Sequence, residues 1–186
     1  MSIDTQTLER YQSLVERELS ALPAGGPDWL DARRRAAADR AREVGMPHRR
    51  QEAWKYTSVE PLLKHDFVPA SAGARPSEAD LAPLLLEETA GGRLVFVNGR
   101  YEPALSSLEG ADSVQVAGLA EALSADAEGS VRLLGSLTGA GEHVFAALNT
   151  AAIQDGALIR IPEGLTLERP LEILHLSVSD GQAQVA

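Results

Sequence analysis

The stretch ALIRIPEGLTLERPLEILHLSVS, residues 157–179, constrains the fold of this chain most. Short runs of alternating apolar and polar residues are separated by tight corners at Pro162-Glu163-Gly164 and at Pro170. The runs follow one another within a few residues and leave no room for helices between them. Such spacing suits a β-sandwich or a β-helix, and pattern alone does not choose between the two.

Upstream, RLVFVNGRYEPAL (residues 93–105) holds two strand-like runs joined by Asn98-Gly99, the strongest short hairpin signal. SVQVAG predicts a further short strand, LAEALSADA a short helix, and GEHVFAALNTAAIQ a helix ended by Asp155-Gly156.

The N-terminal third reads as helical. Leu8, Tyr11, Val15, Leu19 and Leu22 recur at spacings of three and four, and PAGGP then breaks the chain. A second helix is expected from Asp28 as N-cap, with Leu30, Arg33, Ala37, Ala41 and Val44 on one face and Gly45 and Pro47 as the stop. Thr57 and Glu60 have capping-box spacing, which predicts a short helix with Pro61 in its first turn. Beyond Phe67, VPASAGARPSEAD reads as a linker. The expected organisation is a helical domain over 1–68, a linker over 69–91 and a β-rich region over 92–186.

Charge and cysteine usage narrow the function classes. Acidic residues outnumber basic ones 27 to 17, for a formal charge of −10, so nucleic acid and anionic lipid are repelled unless basic charge is localised. The 186 residues contain no cysteine, which removes disulfides, thiolate nucleophiles and Cys-ligated zinc or iron–sulfur sites from this chain. The first twenty residues are polar and acidic, without a basic segment leading into an apolar run, and no stretch is long and apolar enough to span a membrane. The expected location is the cytoplasm.

One cluster invites a binding reading. RRQEAWKYT places Arg49, Arg50, Glu52, Trp54, Lys55, Tyr56 and Thr57 together in a chain with few aromatics. A basic and aromatic patch can hold RNA or a phosphate. Glu52 among the cations, and the absence of a second such stretch to extend a groove, favour a structural corner instead. In that reading Trp54 is buried, with Arg49, Arg50 and Lys55 paired to carboxylates or folded over it.

Other chemistry is thin. His48, His65, His143 and His175 are scattered, without His-x-x-x-His or Glu-x-x-His spacing, and His175 reads as a partly buried strand residue on the face of Ile173. GSLTGAG (residues 135–141) lacks the Lys-Ser/Thr ending of a phosphate loop, and no nucleophile elbow is present. No catalytic, cofactor-binding or metal-ligating residue is assigned. The residues point to a binding or scaffold protein rather than an enzyme.

Three stretches taken together resemble the SufD family of iron–sulfur cluster assembly scaffold proteins, within the SufB/SufD superfamily. PHRRQEAWKYTSVEPLL, led in by Gly45-Met46-Pro47, is similar to the family's Trp-Lys-Tyr-Thr signature. RLVFVNGRYEPALS resembles its Val-Phe-Val-Asp/Asn-Gly-Arg-aromatic segment, and FAALNTAAIQDGALIRIPEGLTLERPLEILHLS, with Phe145, Leu148-Asn149, Asp155-Gly156 and Pro170, the start of its β-helix.

The resemblance implies an α+β fold: an N-terminal helical domain, a mixed connector and the first rungs of a right-handed parallel β-helix, here cut short at SDGQAQVA. It implies a non-catalytic subunit of a SufB–SufC–SufD complex, with partners like SufB and like the ATPase SufC, and with the iron–sulfur cluster handled by the complex. Within it, the Arg49–Thr57 cluster is a joint between helices and β region, not a ligand site. The chain is therefore expected to bind no cofactor, nucleic acid or membrane, and to self-associate through its C-terminal strands. Two rival readings are a β-helix enzyme acting on sugars or acyl groups, with only Glu172 and His175 to use, and an RNA-binding module built on the Arg49–Tyr56 patch.

Overall fold

The computed structural model describes residues 9, 27–59, 61, 62, 65, 67–70, 73, 76–86, 92–108, 113–125, 134–137, 143–179, 184 and 185. The helix expected over Leu8–Leu22 lies outside them, save for a helical Glu9. The chain divides into two compact units, Met1–Pro69 with Val131–Ile153, and Ala70–Ser130 with Gln154–Ala186.

In the first unit, helix α1 (Asp28–Val44) carries its buried residues Leu30, Arg34, Ala37, Ala38 and Ala41 along one stripe. Against it packs a helix spanning Val144–Ala152, through the small side chains Ala37, Ala38 and Ala151 with Leu148 beside them. Small residues on both sides let the two backbones approach closely, which draws residues 131–153 into a unit otherwise built from the N-terminal third. A second cluster joins Ala41, Met46, Val59, Val144 and Ala147.

Two local expectations for α1 shift by one residue. The N-cap is Pro27, whose carbonyl accepts from the backbone N–H groups of Leu30 and Asp31 at 2.8 and 3.3 Å, so Asp28 lies inside the helix. The buried arginine is Arg34 rather than Arg33 on the sequence face; i, i+4 and i+7 from Leu30 point at the core. Gly45, at φ 64°, ends the helix as expected.

The second unit is built around strand β2 (Arg93–Val97), following the two-residue β1 (Val68–Pro69) in the chain. Leu94, Val95, Phe96 and Val97 are all buried, so β2 is covered on both faces. It turns through Asn98 and Gly99, both at positive φ, into β3 (Arg100–Tyr101), with Phe96 opposite Tyr101 and Val97 opposite Arg100. This is the hairpin that Asn-Gly predicts.

On its other side β2 pairs in parallel with β6 (Glu172–Leu176), from Arg93 beside Glu172 to Val97 beside Leu176. A separate antiparallel pair joins β4 (Gln115–Gly118) to β5 (Ala157–Arg160). Val95, Val97, Leu174 and Leu176 meet Leu81 and Leu105 in one core cluster. The final described strand is β7 (Gln184–Val185).

Leu81 comes from within the stretch expected to be a linker. Residues 78–84 there form helix α2 (Glu78–Leu81) and a 3₁₀ turn (Ala82–Leu84). A Ser77–Asp80 capping box supplies the start, and Leu81, 1% exposed, anchors the turn in the core. Two further helices among the described residues are α3 (Leu119–Ala125) and α4, the Val144–Ala152 helix of the first unit.

Candidate functional site

The Arg49–Thr57 cluster folds as a train of tight turns. His48 accepts from the Gln51 backbone N–H at 2.9 Å, Gln51 from Trp54 at 2.9 Å, and Trp54 from Thr57 at 3.0 Å. The first and last of these are β-turns, and residues at the two central positions of such a turn project outward. Arg49 and Arg50 occupy one apex, Lys55 and Tyr56 the other. Between them runs the 3₁₀ turn Glu52–Trp54. The His48 ring takes part too, its Nδ1 accepting from the Arg50 N–H at 3.2 Å.

Met46 and Val59, 5% and 6% exposed, pin the two ends of this train in the core cluster of α1 and α4. Trp54 packs half-buried against that cluster, its ring 5.7 Å from the Phe145 ring. The other signature residues stand in solvent. Tyr56 is 89% exposed, and the Lys55 ammonium lies 5.4 Å from the centre of its ring.

Trp54 is half-buried rather than buried and contributes to packing, while Arg49, Arg50 and Lys55 stand exposed and make no ion pair with a carboxylate among the described residues. The helix expected from Thr57 does not begin there either. The Thr57 N–H is taken by Trp54, residues 57–59 are irregular, and the turn that follows is of 3₁₀ type, from Leu62 to Val59 at 3.0 Å. Glu60 lies outside the described residues.

An open groove of about 210 Å³ runs beside the train. Val44, Pro47, Trp54 and Val144 give it apolar walls, while Glu52 and His143 add polar groups.

The histidines do not converge. His48 sits in the first turn, His143 at the groove, His65 6.0 Å from the Phe67 ring, and His175 on β6. Among the described residues no three His, Asp or Glu side chains come together in a metal-holding arrangement. His175 is exposed rather than partly buried, stacked at 5.1 Å on Phe96, its neighbour across the strand pair. Glu172 and His175 are three residues apart on a strand and so point to opposite faces. No helix among the described residues is long and apolar enough to cross a membrane.

Two positioning residues escape sequence reasoning. Arg34 donates from Nε and Nη2 to the Ile153 carbonyl at 3.1 and 2.7 Å and from Nη1 to Asp31 at 3.0 Å. The Asp155 carboxylate accepts from the backbone N–H groups of Tyr101, Ala120 and Gly156 at 2.8, 3.0 and 2.8 Å. It thereby ties together β3, the first turn of α3 and the start of β5. Neither role has a sequence signature beyond Asp-Gly as a turn.

The chain is similar to proteins of known designation. It is 33% identical over 184 residues to an iron–sulfur cluster assembly SufBD family protein of Synechocystis, covering 95% of this chain and 40% of that protein. It is 31% identical over 134 residues to the iron–sulfur cluster assembly protein SufD of Escherichia coli, covering 72% of this chain and 28% of that protein. The chain thus spans well under half the length of these relatives. The family described as the SufBD protein N-terminal region matches residues 5–173, nearly the whole chain, and the chain belongs to that family.

Proposed function

We propose that this chain serves as a non-catalytic scaffold element in iron–sulfur cluster assembly, within a complex of SufB-like, SufC-like and SufD-like subunits. The carrying observation is the family match over residues 5–173, seconded by the similarity to a protein named SufD. In this reading the cluster is cargo of the complex, ATP hydrolysis belongs to the SufC-like subunit, and the compartment is the cytoplasm. This chain contributes surfaces rather than ligands.

The same proposal takes residues 157–178 as the opening rungs of a right-handed parallel β-helix. The parallel register of β6 on β2 supports this, since parallel pairing is what a β-helix repeats from rung to rung. Among the described residues β6 is an edge strand of its sheet, with Ile173 on it 45% exposed, which supports self-association through the C-terminal strands. Light scattering over a dilution series reads it: a dimer is expected, and a monomer at every concentration removes that part. The rival enzyme reading loses the pair it relied on, because Glu172 and His175 face apart on β6.

Co-expression with SufB-like and SufC-like subunits, followed by affinity capture on this chain, tests the assembly role. Co-purification of both subunits is expected, with ATPase activity in the complex and none in the isolated chain. Capture of neither subunit overturns the proposal. A density map of the complex reads the β-helix directly, and residues 157–178 outside a parallel coil would discard it.

A further inference from the structure

The twin-turn train and its groove have the anatomy of a docking surface. Three cations, Arg49, Arg50 and Lys55, stand at turn apices around one carboxylate, Glu52, in a chain whose formal charge is −10. This charge is locally positive on an acidic molecule, and none of the three is used in an ion pair among the described residues. Tyr56 is held almost wholly in water, and the Trp54–Phe145 pair borders apolar walls that are open to solvent. Exposed aromatics beside arginines are the residue types that anchor protein contacts. The backbone beneath is fixed by three successive turn hydrogen bonds and by buried Met46 and Val59, so little ordering opposes binding.

From this charge complementarity we infer that the surface of residues 47–56 docks an acidic, extended segment of a partner protein. Carboxylates of the segment meet Arg49, Arg50 and Lys55. An apolar side chain enters the groove on Trp54, away from Glu52, and Tyr56 covers the flank. RNA is the weaker occupant, since the net charge of the chain repels a polyanion and no second basic-aromatic stretch continues the track. The inference does not rest on the assembly role, because it is read on the isolated chain.

The test uses the whole chain and a fluorescein-labelled dodecapeptide of repeating Asp-Glu-Leu-Gly. Anisotropy is compared with that of a Lys-Lys-Leu-Gly peptide and an oligouridine of equal length. Saturable binding of the acidic peptide alone is expected, weakening as salt rises. The paired change Arg49→Glu with Arg50→Glu, and separately Tyr56→Ala, should each weaken it by about tenfold or more. These residues are exposed, so an unchanged melting curve is expected to accompany the loss. Undetectable binding, equal binding of the Lys peptide, tighter binding of oligouridine, or wild-type affinity in the charge-reversed variant would each overturn the inference. Self-association abolished by the charge reversal would also overturn it, by making a second copy of this chain the occupant.

Discussion

Arg34 and the carbonyl of Ile153 lie 119 positions apart in sequence and are joined by two hydrogen bonds of 2.7 and 3.1 Å. Ile153 is the C-cap of α4, so the buried guanidinium supplies donors to a helix end that would otherwise leave its carbonyl unpaired. A cation at a helix C-terminus also opposes the local dipole. Arg34→Ala removes both effects and leaves a gap in the α1–α4 contact. A loss of about 1.5–3 kcal/mol is expected, the range for hydrogen bonds to charged groups. Arg34→Lys should recover little, because a single ammonium cannot reproduce the fork. Urea unfolding of the three proteins measures it.

A comparable knot holds the second unit. Of the three N–H groups that converge on Asp155, two come from segments 35 and 54 positions away and the third from the adjacent Gly156. In Asp155→Ala the Tyr101 and Ala120 donors lose their partner, and a loss of about 3 kcal/mol is expected. Asp155→Asn keeps one oxygen but turns an NH₂ toward a donor, so it should fall between wild type and Ala. Hydrogen exchange should report faster opening at Tyr101 and Ala120 in both variants.

Much of this architecture is legible in the sequence wherever one local pattern decides the outcome. Asn98-Gly99 specifies its hairpin because few other residues accept positive φ at both turn positions. The helices over 28–44 and 144–152 follow from apolar spacing and from Gly45. Contacts between distant segments are not written locally. Nothing near Leu174 announces a parallel pairing with Val95, and nothing near Arg34 announces Ile153. The signature cluster shows the same limit: its residue types suggest a packed corner, but two β-turns decide which side chains face water.

The capping box of α2 yields a titration prediction. The Ser77 hydroxyl, and then its backbone N–H, donate to the Asp80 carboxylate at 2.7 and 2.8 Å and hold its pKa below the ordinary value of 3.8. A depressed carboxylate stabilises the fold above its unfolded value, and that contribution disappears as pH falls through the folded value. Ser77→Ala removes the larger cause, so the Asp80 pKa should move up toward 3.8. Carbon-detected NMR titration of Asp80 measures the shift; an unmoved midpoint contradicts the capping account.

Trp54 is half-buried against the core and in ring contact with Phe145, an intermediate position with a measurable consequence. Fully buried aromatics cost about 3–5 kcal/mol on truncation to Ala, so Trp54→Ala should cost roughly 2 kcal/mol. Trp54→Phe keeps a ring against Phe145 and should lose less. Differential scanning calorimetry separates them, and equal losses would place the energy in the indole N–H rather than in packing.

The last prediction concerns Asn98, which is 6% exposed and at φ 50°. Its side chain holds the chain just beyond β6: Nδ2 donates to the Val178 carbonyl at 3.0 Å, and Oδ1 accepts from the Val178 N–H at 2.8 Å. Its backbone N–H donates to Leu176 at 2.9 Å. Asn98 thus combines a turn conformation with a clasp on a segment 80 residues away, and substitutions can separate the two. Asn98→Gly keeps the backbone freedom and removes only the clasp, for about 1–2 kcal/mol. Asn98→Ala removes the clasp and adds a left-handed penalty of about 1 kcal/mol. The Val178 amide should exchange faster in both variants, while the global unfolding free energy should fall further in Ala than in Gly. Equal losses would mean that the turn tolerates a Cβ without strain and that the clasp alone accounts for asparagine at this position.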